Sequence, residues 1–285
     1  MSHVTPPEDA TDSSPTPCAL PAKRVRVQHI ARAKAEGIPL TMLTAYDSLT
    51  APILEAAGVD MLLIGDSLGN VMLGHSSTLP VTLEDMERTT AAVARSTSRA
   101  MIIADLPFGT YEDTAEHAFA SAARLMKAGA HAVKLEGGQK RAHIISALVA
   151  AGIPVCAHLG YTPQSENTLG GPRMQGRGDG AQPLRTDAKA VEEAGAFALV
   201  LEMVPASVAR QITQAAVIPT IGIGAGPDTD GQVLVWSDMA GYSHWVPSFV
   251  HKFGQLGPAL RDAASDYVAA VRARRFPGPD NYKND

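Results

Sequence analysis

Four times in this chain an Ala-Gly pair is followed by a strand-length apolar run that closes on an ionisable side chain. Ala57-Gly58 leads to Asp66, Ala128-Gly129 to Lys134 and Glu136, Ala151-Gly152 to His158, and Ala194-Gly195 to Glu202. In every copy the ionisable group follows its glycine by five to eight residues. Glycine suits the left-handed turn that ends a helix. The runs show no apolar–polar alternation, so each predicts a strand buried on both faces, as in a parallel sheet. Each unit therefore delivers its ionisable group to the same end of the sheet, and four such groups at one rim suggest an active site.

The rest of the chain repeats the alternation. Strands are predicted at Leu40–Thr44, Val59–Ile64, Met101–Ala104, Ala132–Leu135, Pro154–Ala157, Ala198–Leu201, Pro219–Ile223 and, more weakly, Gln232–Trp236. Between them lie helical patterns. Val27 to Glu36 reads as a short helix stopped at Gly37, Thr82 as an N-cap ahead of Glu84 and Asp85, and 258–274 as a closing helix. Phe119, Ala122, Ala123 and Met126 fall at the spacing of one buried helix face. Eight strands alternating with helices favour a (β/α)8 barrel over an open doubly wound sheet, whose glycine fingerprint is replaced after the first strand by Ala45-Tyr46-Asp47. The link Gly226 to Gly231 is too short for a helix. Residues 1–22, with five prolines among Ser, Thr and acids, read as a disordered tail, which leaves 23–285 as a single barrel domain.

Composition narrows the function. A net charge of −5 gives no electrostatic reason to expect nucleic acid or a membrane surface as partner. No apolar segment reaches membrane-spanning length, and the N-terminus lacks the basic-then-apolar pattern of a secretory signal. The two cysteines, Cys18 in the tail and Cys156 in a predicted strand, argue against a structural disulfide and for a reducing, cytoplasmic setting.

Asp66 and Asp105 end neighbouring strands, where two carboxylates repel unless protonated or bridged by a cation. With oxygen ligands only, a hard ion such as Mg²⁺ suits them; the alternative is that each merely caps a turn. Lys134 and Glu136 are two apart and share the face towards the barrel mouth. The lysine then holds an anionic substrate, forms a Schiff base, or simply pairs with the glutamate. Glu202 closes the most apolar strand, so poor hydration is expected to raise its pKa towards that of a general base for carbon acids; a structural partnership with an arginine or backbone amide is the alternative. His158 and His75 suggest ligands, substrate contacts or packed core histidines. Ile221-Gly222-Ile223-Gly224-Ala225-Gly226 suits either a phosphate or close loop packing, and the polar stretch 170–178 a lid or a subunit contact.

Seven ordered blocks together resemble the ketopantoate hydroxymethyltransferase family: Leu43-Thr44-Ala45-Tyr46-Asp47, Gly65-Asp66-Ser67-Leu68-Gly69, Ala104-Asp105-Leu106-Pro107-Phe108, Val133-Lys134-Leu135-Glu136-Gly137-Gly138, Thr162-Pro163-Gln164-Ser165, Gln175-Gly176-Arg177-Gly178 and Gly222-Ile223-Gly224-Ala225-Gly226. The resemblance runs from about residue 25 to residue 277. It implies a TIM barrel of the phosphoenolpyruvate/pyruvate type that transfers a hydroxymethyl group from 5,10-methylenetetrahydrofolate to 2-oxoisovalerate. Asp66 and Asp105 are then Mg²⁺ ligands that also face the substrate, Glu136 joins through a water, Ser67 and Lys134 bind the oxo acid, and Glu202 accepts the proton. It also implies a homo-oligomer, often a decamer. Pro172, where an aromatic residue is expected, and the ending Asn281-Tyr282 depart from the family pattern in regions that concern the lid, the folate contacts and subunit packing. A related Mg²⁺-dependent lyase of the isocitrate-lyase kind would carry a Lys-Lys-Cys-Gly-His-type loop, which this chain lacks. A non-enzymatic, oxo-acid-binding barrel would have lost at least one rim carboxylate, yet all four are present.

Overall fold

The computed structural model describes residue 20 and residues 23–283. Eight parallel strands close into a barrel in sequence order: β1 (Leu40–Thr44), β2 (Met61–Ile64), β3 (Met101–Asp105), β4 (Ala132–Glu136), β5 (Val155–Gly160), β6 (Ala198–Glu202), β7 (Thr220–Ile223) and β8 (Gly231–Leu234). Closure is made by β1 against β8, with Leu40 opposite Gly231. The helices are α1 (Val27–Glu36), α2 (Thr50–Ala56), α3 (Leu68–Val71), α4 (Leu83–Ser96), α5 (Ala115–Ala128), α6 (Ala142–Ala150), α7 (Glu166–Leu169), α8 (Ala181–Glu193), α9 (Ala206–Ala215), α10 (Trp236–Met239) and α11 (Leu256–Arg272). The (β/α)8 expectation holds, and among the described residues no helix is long and apolar enough to cross a membrane.

The repeated Ala-Gly units behave as their chemistry dictates. Gly58, Gly129, Gly152 and Gly195 all take positive φ where a helix hands over to a strand. The strands that follow are buried throughout or nearly so. Their side chains alternate between two apolar layers. Leu62, Ile64, Ile102, Val133, Leu135 and Leu199 pack outward towards the helices, whereas Met61, Leu63, Met101, Ile103, Ala132, Cys156 and Val200 fill the barrel. α1 contributes Ile30 and Ala33 to the inner cluster and so plugs the end where the strands begin. The expected tail, with Cys18, lies outside the described residues except for Leu20, which is buried in that same cluster.

Several boundaries move. Asp105, Glu136, His158 and Glu202 lie within their strands rather than beyond them, because the pairings Asp105↔Lys134, Glu136↔His158 and Gly160↔Glu202 carry the ladder to the rim. β8 stops at Leu234, and Trp236 opens α10 instead of ending a strand. Thr82 caps α4 as expected, its hydroxyl accepting from Asp85 N at 3.1 Å while the Asp85 carboxylate accepts from Thr82 N. No helix separates β7 from β8. That link is held by Asp230, whose Oδ2 accepts from Lys34 Nζ at 2.7 Å and from Thr220 N at 2.8 Å.

The face of α5 is a correction. It buries Ala118, Ser121, Ala122 and Leu125, while Phe119 stays 46% exposed. Small side chains let the helix lie close to the sheet, and a phenyl ring on that line would hold it off. Leu125→Ala should therefore lower stability by about 2–5 kcal/mol, and Phe119→Ala by well under half of that. Urea-unfolding midpoints of the two variants check the contrast.

Candidate active site

At the end of the barrel where the strands finish, the inward positions change from apolar to charged. Asp66 follows β2 by two residues, Asp105 ends β3, Lys134 and Glu136 stand on β4, His158 on β5 and Glu202 at the end of β6. Together with Ser67, Gly65 and Pro163 they line one cleft of about 110 Å³, whose inner wall is Leu63, Val200, Ile223 and Val233. Every rim residue expected from the sequence is thus brought to one place.

The geometry is tightly connected. Asp66 N donates to Asp105 Oδ2 at 3.0 Å, so the two carboxylate-bearing strand ends are locked side by side. Lys134 Nζ stands 3.0 Å from Asp105 Oδ1 and 3.2 Å from His158 Nδ1. The imidazole bridges the remaining acids, with Nδ1 3.6 Å from Glu136 Oε1 and Nε2 3.2 Å from Glu202 Oε2. Gly65 keeps this corner open: a Cβ there would stand 2.7 Å from Ser67 Oγ. Ser67 itself shares a 2.8 Å hydrogen bond with the Tyr46 hydroxyl.

Burial of this many charges sets their proton affinities. Asp66, Asp105, Glu136 and Lys134 are each at most 4% exposed. Burial first, and then the Asp105 and Glu136 charges, push the Asp66 carboxyl up to about 8. Burial also raises Asp105, against the opposing pull of Lys134. Burial alone would lower Lys134, but Asp105, Glu136 and Asp66 outweigh it and hold the ammonium above its ordinary range. A protonated lysine is not a Schiff-base nucleophile, which leaves its role as a fixed positive charge. His158 is likewise raised: burial and Lys134 oppose its charge, but its contacts with Glu136 and Glu202 prevail.

Glu202 is the most open of the rim acids, its side chain 17% exposed against 3% for Asp105 and Glu136. Its partner is His158, not an arginine.

Two residues that no composition or charge pattern singled out complete the cluster. Gln164, in the turn after β5, donates through Nε2 to Asp66 Oδ2 at 2.8 Å and to Leu106 O at 2.9 Å, and through its backbone N to Glu136 Oε2 at 3.0 Å. The Tyr111 hydroxyl donates to Gln164 Oε1 at 2.6 Å. The signal for Gln164 was its place in the Thr162-Pro163-Gln164-Ser165 block directly after a rim strand; Tyr111 carried none. As the side chains stand, no three acids or histidines among the described residues form a ready metal cage. Gln164 occupies Asp66 Oδ2, and Lys134 faces Asp105. The buried Glu136 Oε1 nevertheless has no hydrogen-bond partner, and it marks where the pocket is unsatisfied.

Other expected candidates fall elsewhere. His75 is outside the cleft lining. The glycine-rich run is close loop packing, since a Cβ on Gly222, Gly224 or Gly226 would meet Thr229, Phe249 or Ala206 at under 3.0 Å. The 170–178 stretch is tied beside Glu202 by Gln175 N donating to Met203 O at 2.9 Å. Cys156 is fully buried with its thiol pushed up to about 12, mainly by burial, and is no nucleophile.

A family model described as Ketopantoate hydroxymethyltransferase matches residues 24–279. The chain belongs to that family. It is 51% identical over 282 residues to the 3-methyl-2-oxobutanoate hydroxymethyltransferase of Rhodococcus jostii, covering 98% of both chains. It is 56% identical over 257 residues to the enzyme of that name from Thermobifida fusca, covering 90% and 92%. Among solved structures it shares its fold with a phosphonopyruvate hydrolase complexed with oxalate and Mg²⁺ (16% identity, TM-score 0.59, 90% and 92% coverage). A 2,3-dimethylmalate lyase of the phosphoenolpyruvate mutase/isocitrate lyase superfamily is similar in the same way (19%, TM-score 0.60, 93% and 90%). The chain is therefore an enzyme, a hydroxymethyltransferase on a (β/α)8 barrel, and the lyase and non-enzymatic alternatives fall away.

Proton linkage at the rim is measurable. The folded chain holds on Asp66 a proton that the unfolded chain releases near pH 4. This stabilisation is full below that pH and is lost as pH rises towards about 8. In chelator, the thermal midpoint should fall between pH 6 and pH 8, and the fall should be shallower in Asp66→Asn.

Proposed function

We propose that the enzyme joins 2-oxoisovalerate to the one-carbon unit of 5,10-methylenetetrahydrofolate, giving 2-dehydropantoate in pantothenate biosynthesis. A carbon–carbon bond forms between the carbon beside the ketone and the donor methylene. The methylene's two bonds to folate nitrogens break, water supplies the hydroxyl, and the proton lost from the oxo acid together with the water's remaining proton goes to the two nitrogens released. The carrying observation is the rim cleft itself. It has the size of a small acid, a protonated lysine and buried carboxylates at its polar end, and Leu63, Val200 and Val233 at its apolar end, where a branched alkyl group fits.

The donor set suits a hard divalent ion such as Mg²⁺, being oxygen-only, buried and short of positive charge, with Glu136 Oε1 accepting no hydrogen bond. Asp66, Asp105 and Glu136 would hold such an ion. When bound, it supplies Lewis-acid polarisation of the oxo acid. Lys134, with Ser67, binds the substrate's carboxylate and keto oxygens and keeps positive charge where the enolate develops. Glu202, the one rim acid open to the mouth, takes the proton, and His158 at 3.2 Å orients it.

A cytoplasmic homo-oligomer, a decamer by resemblance, completes the reading. In support, α11 has no buried residue and presents Leu260, Tyr267, Val268 and Val271 to solvent, more apolar surface than a helix keeps without a partner.

The enzyme should exchange the β-hydrogen of 2-oxoisovalerate with solvent in the absence of folate, and chelation should stop it. Glu202→Gln should slow exchange by roughly 10²–10⁴-fold while the oxo acid still binds. Proton NMR in deuterated buffer reads both, and undiminished exchange in the variant would remove Glu202 as the base.

A further inference from the structure

The rim cleft, at about 110 Å³, has room for a small oxo acid and for little else. Sites for ligands of drug size run to about 300–1,000 Å³. A transferase with two substrates therefore needs a second pocket that opens onto the first. A cavity of about 1130 Å³ shares two walls with the cleft, Ser67 and Val235. It lies between α3, α10, the loop 241–255 and the first half of α11.

Its chemistry is divided in a way the cleft's is not. At its base is Asp238, 9% exposed, whose Oδ1 accepts from Ser243 Oγ at 2.5 Å. Burial holds its carboxyl above the ordinary range, against the pull of its Ser243 and Ser237 hydrogen bonds. Trp245, 78% exposed, supplies an open indole face on the wall. Lys252 and Arg261 stand at the exposed rim, Arg261 in a solvent-exposed ion pair with Asp262 at 3.0 Å. A buried carboxylate recognises an amide–amidine edge through paired N–H donors, an exposed indole stacks on a flat ring, and rim cations meet carboxylates.

We infer that this cavity is the binding site of the one-carbon donor, with Asp238 on the amino-pyrimidinone edge of a reduced pterin, Trp245 against its ring system and Lys252 and Arg261 on its glutamate tail. The inference rests on the folate reading proposed above and adds to it the residues that would hold the donor. It also explains why Ser67 is shared: the donor's methylene must reach the carbon activated in the cleft, and Ser67 is where the two spaces meet. The remaining polar groups in the cavity, Asn70, Ser237 and His244 among them, leave room for the donor's other heteroatoms.

The test uses the full-length enzyme and isothermal titration with tetrahydrofolate and with tetrahydropteroate, which lacks the glutamate tail. Asp238→Asn should weaken both probes by roughly tenfold or more, the loss expected for a charge-assisted hydrogen bond. Trp245→Leu, an exposed position safe for folding, should also weaken both. Lys252→Ala should weaken tetrahydrofolate and leave tetrahydropteroate unchanged. Wild-type affinity in Asp238→Asn and Trp245→Leu would overturn the site while leaving the folate reading intact. A wild-type enzyme that exchanges the β-hydrogen yet binds neither probe would overturn the folate reading, and this inference with it.

Discussion

Everything at the mouth of this barrel turns on an imbalance of buried charge. Three carboxylates, Asp66, Asp105 and Glu136, stand almost without solvent around one ammonium, and a fourth, Glu202, leans on an imidazole. Removing ions from water is costly unless they are paired and hydrogen-bonded. The structure pairs what it can: Lys134 with Asp105, Gln164 with Asp66 and Glu136, His158 with Glu136 and Glu202. What remains pushes the Asp66 carboxyl up to about 8, and burial raises Asp105 against the pull of Lys134. Such an excess of buried acid over base is the electrostatic ground for the proposed cation.

The fold makes that imbalance affordable. Inward positions of β2 to β6 alternate apolar residues below with charged residues above, so the same strands that form the core present the acids. The apolar plug below, closed by α1, keeps the acids dry from one side. Gln164 and Tyr111, from the loops above, cover Asp66 and Glu136 from the other. Stability is stored in the lower layers, and the upper layer is free to be electrostatically unfavourable because the barrel beneath does not depend on it.

How much of this was legible beforehand follows from where each residue sits. Asp66, Lys134, Glu136, His158 and Glu202 were legible because an unbroken apolar run must be buried on both faces, and the polar group that ends it then has nowhere to go but the rim. Asp105 followed from the same logic without the Ala-Gly signature. The partial exposure of Glu202 was not legible: it ends β6 level with Gly160 and Ile223 at the ends of the flanking strands, and nothing within β6 sets it apart. Gln164 and Tyr111 are neutral residues on loops, and only the folded chain brings them to the acids. The face of α5 was misread because periodicity ranks Phe119 as core, whereas close approach to the sheet selects Ala118 and Ser121. For α11 periodicity gave the helix and no hint that its apolar side would lie uncovered.

The central claim is that Asp66 and Asp105 are placed to grip one cation. It is tested most directly by titrating the chelated enzyme with Mn²⁺, as a paramagnetic stand-in for Mg²⁺, in the presence of 2-oxoisovalerate and counting free ion by electron paramagnetic resonance. The account predicts a tight ion on each chain of the unaltered enzyme and none on the Asp66→Asn/Asp105→Asn double variant. A double variant that binds Mn²⁺ as tightly and in the same amount would contradict it.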